Sequence, residues 1–187
     1  MKTVTAKIEG ISPLQQGRYH QAPPLNEKEG KDDYEKRTWI EKLHVDKDGN
    51  IFIPPMALKK SLETAAKYLS ISIPGQGKAK YNKHFLSGVL VLDGMSLGVK
   101  KEDFYPMWVL GNARGQRGAS GARVPKCFPT INEWSGEVIF HLLDDIITEE
   151  VFERVLIEAG NFIGLGVFRP ENGGYHGRFI VKKLDWN

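Results

Sequence analysis

The sequence predicts an α+β chain of ferredoxin-like, RRM-type topology, with a βαββαβ core that carries long loop insertions. Three observations carry that expectation. An alternating segment opens the chain, where Val4, Ala6 and Ile8 share one face. Two amphipathic helical segments lie far apart, at 55–69 and 148–163. Extended segments follow each of them, and the last one closes the chain. Strand, helix, strand or hairpin, strand, helix, strand is the ferredoxin-like order. A length of 187 residues suits a single domain, residues 1–187.

Taken in order, the first strand covers residues 3–8, and Gly10 and Pro13 break it. From there to Gly49 no core period is visible. Gln15, Gln16, Gly17, Pro23, Pro24 and the charged run 26–37 read as a long irregular surface insertion, about 12–50. Trp39, Ile40, Leu43 and Val45 pin its far end. Asp48-Gly49-Asn50 is a turn, and Pro54-Pro55 enforces an extended approach through Ile51 and Ile53. Pro55 suits a first helical turn, and Leu58, Leu62, Ala65, Ala66 and Leu69 form one stripe. Lys59, Lys60, Glu63 and Lys67 lie off it.

Residues 85–92 read as a buried strand, because Val89, Leu90, Val91 and Leu92 are consecutive. Residues 104–110 and 123–129 are extended, and the stretch 112–121 between them is basic and glycine-rich. Residues 134–143 form a strand with Trp134, Val138 and Phe140 on one face and Ile139 on the other. Thr148 is a good N-cap, followed by Glu149 and Glu150 in the first turn. The helix it starts runs to Ile163, with Val151, Phe152, Val155, Leu156, Ala159, Phe162 and Ile163 facing the core. Gly164 suits the position just past its end. The last strand, 178–184, alternates Phe179 and Val181 with Ile180.

Composition excludes several classes. With 41% hydrophobic and 26% charged residues, the chain is not expected to be disordered. No apolar run of about 18 residues exists, so no spanning helix and no membrane partner is expected. The N-terminal segment lacks the apolar core of a signal peptide. A single cysteine, Cys127, excludes an intramolecular disulfide and a cysteine-rich zinc site. These features together predict a cytoplasmic protein. The net charge is only +3, but it is unevenly placed. Residues 54–126 hold twelve Lys and Arg against four Asp and Glu, and residues 133–158 hold one Arg against eight acids. A basic face of that kind meets polyanions, and an acidic one docks a basic patch on a neighbour.

Three segments carry chemistry. In 112–126, Arg114, Arg117, Arg123 and Lys126 are separated by glycines, with no acid among them. Each guanidinium there can fork onto a phosphate oxygen. Trp108, Phe128 and Trp134 flank the segment, and such rings stack on splayed bases. In 164–179, Gly164, Gly166, Gly173, Gly174 and Gly177 accompany Arg169 and Arg178. Their amides and guanidinium groups suit a sugar-phosphate backbone, and Tyr175 and His176 suit stacking. In 53–60, a helix N-terminus follows an extended Pro segment, with Lys59 and Lys60 beside it.

Enzymatic signatures are sparse. His20, His44, His84, His141 and His176 show neither HxxxH nor HExxH spacing. The Gly75–Lys80 stretch lacks phosphate-loop spacing, and no GxSxG elbow occurs. Asp144 and Asp145 are adjacent, so on a strand they point apart. Cys127 reads as a passive thiol. Tyr19 and His20 remain as an acid–base pair for metal-independent RNA cleavage. The expectation is no catalytic residue, no metal and no cofactor, with the ribonuclease as an alternative.

The three segments together resemble the RAMP superfamily, the RNA-binding subunits of CRISPR effector complexes, and most closely its backbone subunits. That family introduces its first helix with an IPGSSLKG-like segment, matched here by Ile53-Pro54-Pro55-Met56-Ala57-Leu58-Lys59. It ends with a GxGxxRP…GxGRF loop, matched by Gly164-Leu-Gly166-Val-Phe-Arg169-Pro170 and Gly173-Gly174-Tyr175-His-Gly177-Arg178-Phe179. Pro55 and Met56 stand where the family has glycine and serine. Target-cleaving members carry an aspartate where Trp39 stands here, and Asp32, Asp33 and Glu35 are out of register. The resemblance implies a protruding thumb hairpin at about 108–131. It also implies binding of single-stranded RNA, with single-stranded DNA second; backbone contacts make that binding weakly sequence-specific, and the missing aspartate points away from cleavage. The contact residues it implies are Lys59, Lys60, Trp108, Arg114, Arg117, Arg123, Lys126, Gly166, Arg169, Gly173, Gly174, Tyr175, His176 and Arg178. The partners it implies are copies of this chain assembled head-to-tail and other CRISPR effector subunits. A solitary relative that mimics a subunit and inhibits an effector is the interaction-protein alternative.

Overall fold

The computed structural model describes residues 1–100, 103–112 and 122–187. In chain order its strands are β1 (Lys2–Gly10), β2 (Leu14–Gln15), β3 (Asn50–Ile53), β4 (Val89–Leu90), β5 (Met95–Lys100), β6 (Tyr105–Asn112), β7 (Arg123–Ile131), β8 (Ser135–Leu142) and β9 (Phe179–Trp186). Its helices are α1 (Lys31–Thr38), α2 (Pro55–Leu69), α3 (Asn82–Gly88) and α4 (Glu149–Glu158).

The main sheet runs β4-β8-β1-β9 and is antiparallel throughout. With α2 after β1 and α4 after β8, this is the ferredoxin-like order the sequence predicts. Val4, Ala6 and Ile8 of β1 are fully buried. They lie opposite Phe140, Val138 and Gly136 of β8. The alternation in sequence is therefore a sheet with one wet face, where Ile139 and Ile180 are exposed. The buried face is covered by α2, through Leu58, Leu62, Ala65 and Ala66, and by α4, through Phe152, Val155 and Leu156. The two helices pack against each other, and Phe152 meets Phe140 edge-on at 5.3 Å.

Helix boundaries follow the sequence closely. α2 starts at Pro55 as predicted and ends where Ser70 turns left-handed and donates its N–H to Ala66 O at 3.0 Å. Thr148 caps α4 by accepting the Val151 N–H at 3.3 Å. Beyond Glu158 the backbone widens into a π-helical turn, Ala159–Ile163. A Cβ at Gly160 would run into Phe179 O, so this turn lies directly on β9. The register change moves Phe162 out of the predicted core face. Phe162 is 45% exposed, whereas Ile163 is buried.

Two expectations are corrected. Residues 85–92 are not one strand: 82–88 form α3, and only Val89 and Leu90 pair with β8. Tyr81 and Phe85, four residues apart, are both buried, and Phe85 stacks on Phe152. Seven residues are too few for that helical period to outweigh the apolar run beside it. The 12–50 stretch is not an irregular surface loop. It holds β2, α1 and a 3-10 turn (Trp39–Lys42), and it buries Leu14, Gln15, Gln16, Glu35, Thr38 and Leu43.

Strands β6 and β7 form a long hairpin from Tyr105–Thr130 to Asn112–Arg123, and β2 pairs with the base of β7. Residues 113–121, with Arg114 and Arg117, lie outside the described residues. Among the described residues no helix is long and apolar enough to cross a membrane.

Candidate nucleic-acid interface

The 164–178 loop is fastened to the start of the chain by backbone hydrogen bonds. The Val167 N–H donates to Gln15 O at 3.0 Å and the Gly177 N–H to Pro13 O at 2.8 Å. The loop is also closed on itself: Leu165 N–H donates to Gly177 O at 3.0 Å and His176 N–H to Phe168 O at 3.1 Å. Two glycines are needed for this approach. A Cβ at Gly166, which sits at φ +76, would run into Gln15 O, and one at Gly174 would run into Phe168 O. The N–H groups of Gly173, Gly174 and Gly177 already donate to Pro170 O, Arg169 O and Pro13 O. This corrects the expectation that those amides face a phosphate chain. Phe168 takes a left-handed backbone, φ +52, which is strained for a non-glycine residue.

Helix α2 meets this loop through Ser61, whose hydroxyl donates to Gly164 O at 3.0 Å. Between them lies a cleft of about 150 Å³ lined by Ala57, Lys60, Ser61, Gly166, Arg169 and Glu171. A second cleft of about 230 Å³ shares Ala57, Gly166 and Arg169 and extends to Gly17, His44 and Pro54. The two form one groove with Arg169 at its middle.

The cations of the groove are partly neutralised. Arg169 donates to Glu171 Oε2 through Nε at 2.8 Å, and its Nη1 donates to Gly166 O at 3.1 Å. Lys59 bonds Glu63 and donates to Leu86 O at 2.7 Å, so its ammonium turns away from the helix start. Lys60 reaches Glu63 Oε2 at 3.3 Å with a largely exposed side chain. Burial by itself would raise the Glu63 pKa; the bonds from Lys59 and Lys60 outweigh it and hold the carboxyl below its ordinary value. At the start of α2 the N–H groups of Ala57 and Leu58 both turn to Pro54 O, and Pro55 has none. The helix N-terminus is therefore a weaker anion site than its sequence implies.

His176 is 4% exposed, and burial lowers its pKa, which favours the neutral ring. Tyr175 stacks on it at 4.2 Å and is itself exposed. Arg178 anchors to Asn161 O through Nη1, and its backbone N–H bonds Ser12 Oγ at 2.9 Å. The hairpin meets the loop where Phe128 packs edge-on against Phe168 at 5.4 Å. On the hairpin, Arg123 and Trp108 are exposed, and Lys126 lies 3.7 Å from Glu35 Oε2. The loop, the α2 start and the hairpin base thus form one connected surface.

No family model and no curated protein sequence matches the chain. Solved structures do match. A crystal structure of Cmr6 from Pyrococcus furiosus aligns at TM-score 0.55 and 13% identity, covering 97% of this chain and 98% of that one. This chain has the Cmr6 fold. The type III-B Cmr-beta bound to cognate target RNA contains a chain that aligns at TM-score 0.53 and 13% identity. That alignment covers 99% of this chain and 60% of its neighbour, so this chain spans about three fifths of that neighbour's length.

Within the Cmr6-like frame, Trp39 packs edge-on against Phe104 at 5.5 Å. Tyr19 is 81% exposed, and His20 stacks on Tyr34 with its Nδ1 accepting the Ala22 N–H at 3.4 Å. Cys127 is fully buried, and burial pushes its thiol up to about 11. Sequence reasoning missed Glu63 and Glu171, the acids that orient Lys59, Lys60 and Arg169. The four-residue spacing Lys59–Glu63 and the short Arg169-Pro-Glu171 step were the available signals.

Proposed function

We propose that this chain is a non-catalytic subunit that binds single-stranded RNA along the groove between the start of α2 and the 164–178 loop. The observation that carries this reading is Arg169, which lies at the middle of a groove shared by two clefts, with Lys60 on one side. Its fork is held by Glu171 and Gly166 O in a fixed orientation. The exposed Tyr175 supplies a stacking face; Arg123 and Trp108 of the hairpin are also exposed, at strand positions that alternate with Phe128 and Met107. Phosphate contacts dominate such a site, so binding is weakly sequence-specific and sensitive to salt. The Cmr6-like fold and the bound target RNA of the Cmr-beta neighbour support the same reading. The separation of a basic segment from an acidic one supports head-to-tail assembly along the strand, alone or with other CRISPR effector subunits. By ungapped spacing Trp39 falls where target-cleaving members of the family the chain resembles carry an aspartate, which supports a subunit that holds RNA without cutting it.

The test is the 260/280 absorbance of the purified protein on a sizing column, followed by RNase and DNase digestion. A co-purifying, RNase-sensitive strand in regular length steps is the expected result. A clean monomer that captures effector subunits without RNA would shift the reading to a protein-interaction role. RNA cleavage lost on His20→Ala would make the chain an enzyme.

A further inference from the structure

A further groove opens one to two turns along α2 from the Lys60–Arg169 cleft. It has a volume of about 600 Å³ and lies between the last turns of α2 and the π-helical turn, lined by Thr64, Lys67, Tyr68, Phe162, Pro170 and Arg178. Tyr68 is 61% exposed and Phe162 45% exposed, with ring centroids 5.2 Å apart and planes tilted by 33°. Two large rings from separate elements are held together and left open to water. Core packing does not require this, since Ala159 and Ile163 on the same turn are buried. The widened π-helical turn is what delivers Phe162 to the surface.

The rim is cationic. Lys67 is exposed, and Arg178 is fixed by the bond from Nη1 to Asn161 O. The acid that also lines the groove, Glu171, is already paired with Arg169 at 2.6 Å. Ile163 and Glu171 line both this groove and the Lys60–Arg169 cleft, so the two are continuous.

We propose that Tyr68 and Phe162 form a base-stacking subsite that receives one nucleobase of a single-stranded RNA leaving the Arg169 groove. Lys67 and Arg178 meet the phosphates that flank it. The inference rests on the reading of the Arg169 groove as the RNA site. An apolar platform with a cationic rim matches a nucleotide, whose face is flat and apolar and whose edge is anionic. An apolar protein segment would leave Lys67 and Arg178 without counter-charge.

The test is a polarisation titration of a labelled single-stranded RNA of about 16 nucleotides. It compares the wild type with Y68A, F162A, the double variant, Y68F and Y68L. The rings are exposed, and circular dichroism checks that each variant folds. Single alanine variants are expected to weaken binding by roughly 5- to 150-fold, the range for loss of one stacked base. The dependence on salt stays as in the wild type, because no phosphate contact is removed. Y68F retains affinity, whereas Y68L, apolar but without a ring, loses it. An RNA made abasic along its length weakens the wild type more than it weakens the double variant, whose remaining loss is that of stacking on Tyr175. Wild-type affinity in the double variant overturns the subsite and leaves the Arg169 groove standing. A wild type that binds no RNA overturns both. Unchanged RNA affinity with a changed oligomeric state reassigns the rings to a contact between copies of this chain.

Discussion

The backbone N–H of Cys127 donates to Oε1 of Glu35 at 2.7 Å, joining α1 to the base of the hairpin across 92 residues of sequence. The same carboxylate bonds Lys42, which in turn donates to Cys127 O at 2.7 Å. Lys42 also lies 4.6 Å from the centre of the Phe128 ring, and Phe128 touches Phe168 of the loop. The buried pair thus sets where the hairpin stands relative to the groove.

Removing one partner of that pair leaves the other charge buried. Glu35→Ala is expected to destabilise the fold by about 3–5 kcal/mol, measured by urea unfolding. Glu35→Met with Lys42→Met is expected to lose much less, because neither charge remains.

The pair has a pH signature. Burial alone would raise the Glu35 pKa; the bonds from Lys42 and Cys127 and the charges of Lys42 and Lys126 outweigh it and hold it below 4.5. A folded value below the unfolded one gives stability that is present above the unfolded value and lost as pH falls through the folded one. The stability difference between wild type and Glu35→Gln is therefore expected to hold above the ordinary glutamate value and to shrink as pH falls below it toward about pH 3. A constant difference across that range contradicts this assignment.

Cys127 is buried, with its thiol pushed up to about 11. It is expected to resist alkylation by iodoacetamide at neutral pH in the folded protein and to react fully in denaturant. Mass spectrometry of the two samples reads this directly. Rapid alkylation of the native chain would show that the hairpin base opens.

The Arg169–Glu171 pair predicts opposite effects from its two members. Arg169→Ala is expected to weaken RNA binding and to flatten the salt dependence by about 0.7 in the logarithmic slope. Glu171→Ala frees the guanidinium and is expected to strengthen binding. Equal losses in both variants would show that the pair only shapes the loop.

How much of this was legible from sequence depends on the element. β1 and α2 were, because Val4, Ala6 and Ile8 and the Leu58–Leu62–Ala65–Leu69 stripe each run long enough to show their period. Thr148 was legible because an N-cap is a local bond. α3 was not, since Tyr81 and Phe85 give its period only once. The buried part of the 12–50 stretch was hidden because Glu35 and Lys42 look like surface charges until Cys127 and Phe128 arrive from the hairpin. The 164–178 loop was found by its glycines, but their role was misread. Their amides are bonded to Pro13, Arg169 and Pro170, which only the folded chain brings near. Phe162 was read as part of the core face, because a π-helical turn does not show in a helical period, and Tyr68 lies off the apolar stripe of α2 with nothing to mark it.

The proposed function turns on whether the Arg169 groove holds single-stranded RNA. The direct measurement is a polarisation titration of the purified chain with one labelled single-stranded RNA at about 50 and about 200 mM salt, repeated with Arg169→Ala. The expected result is saturable binding by the wild type that weakens steeply at the higher salt, with a weaker and flatter response in the variant. Absence of binding at the lower salt, or identical curves for the two proteins, contradicts it.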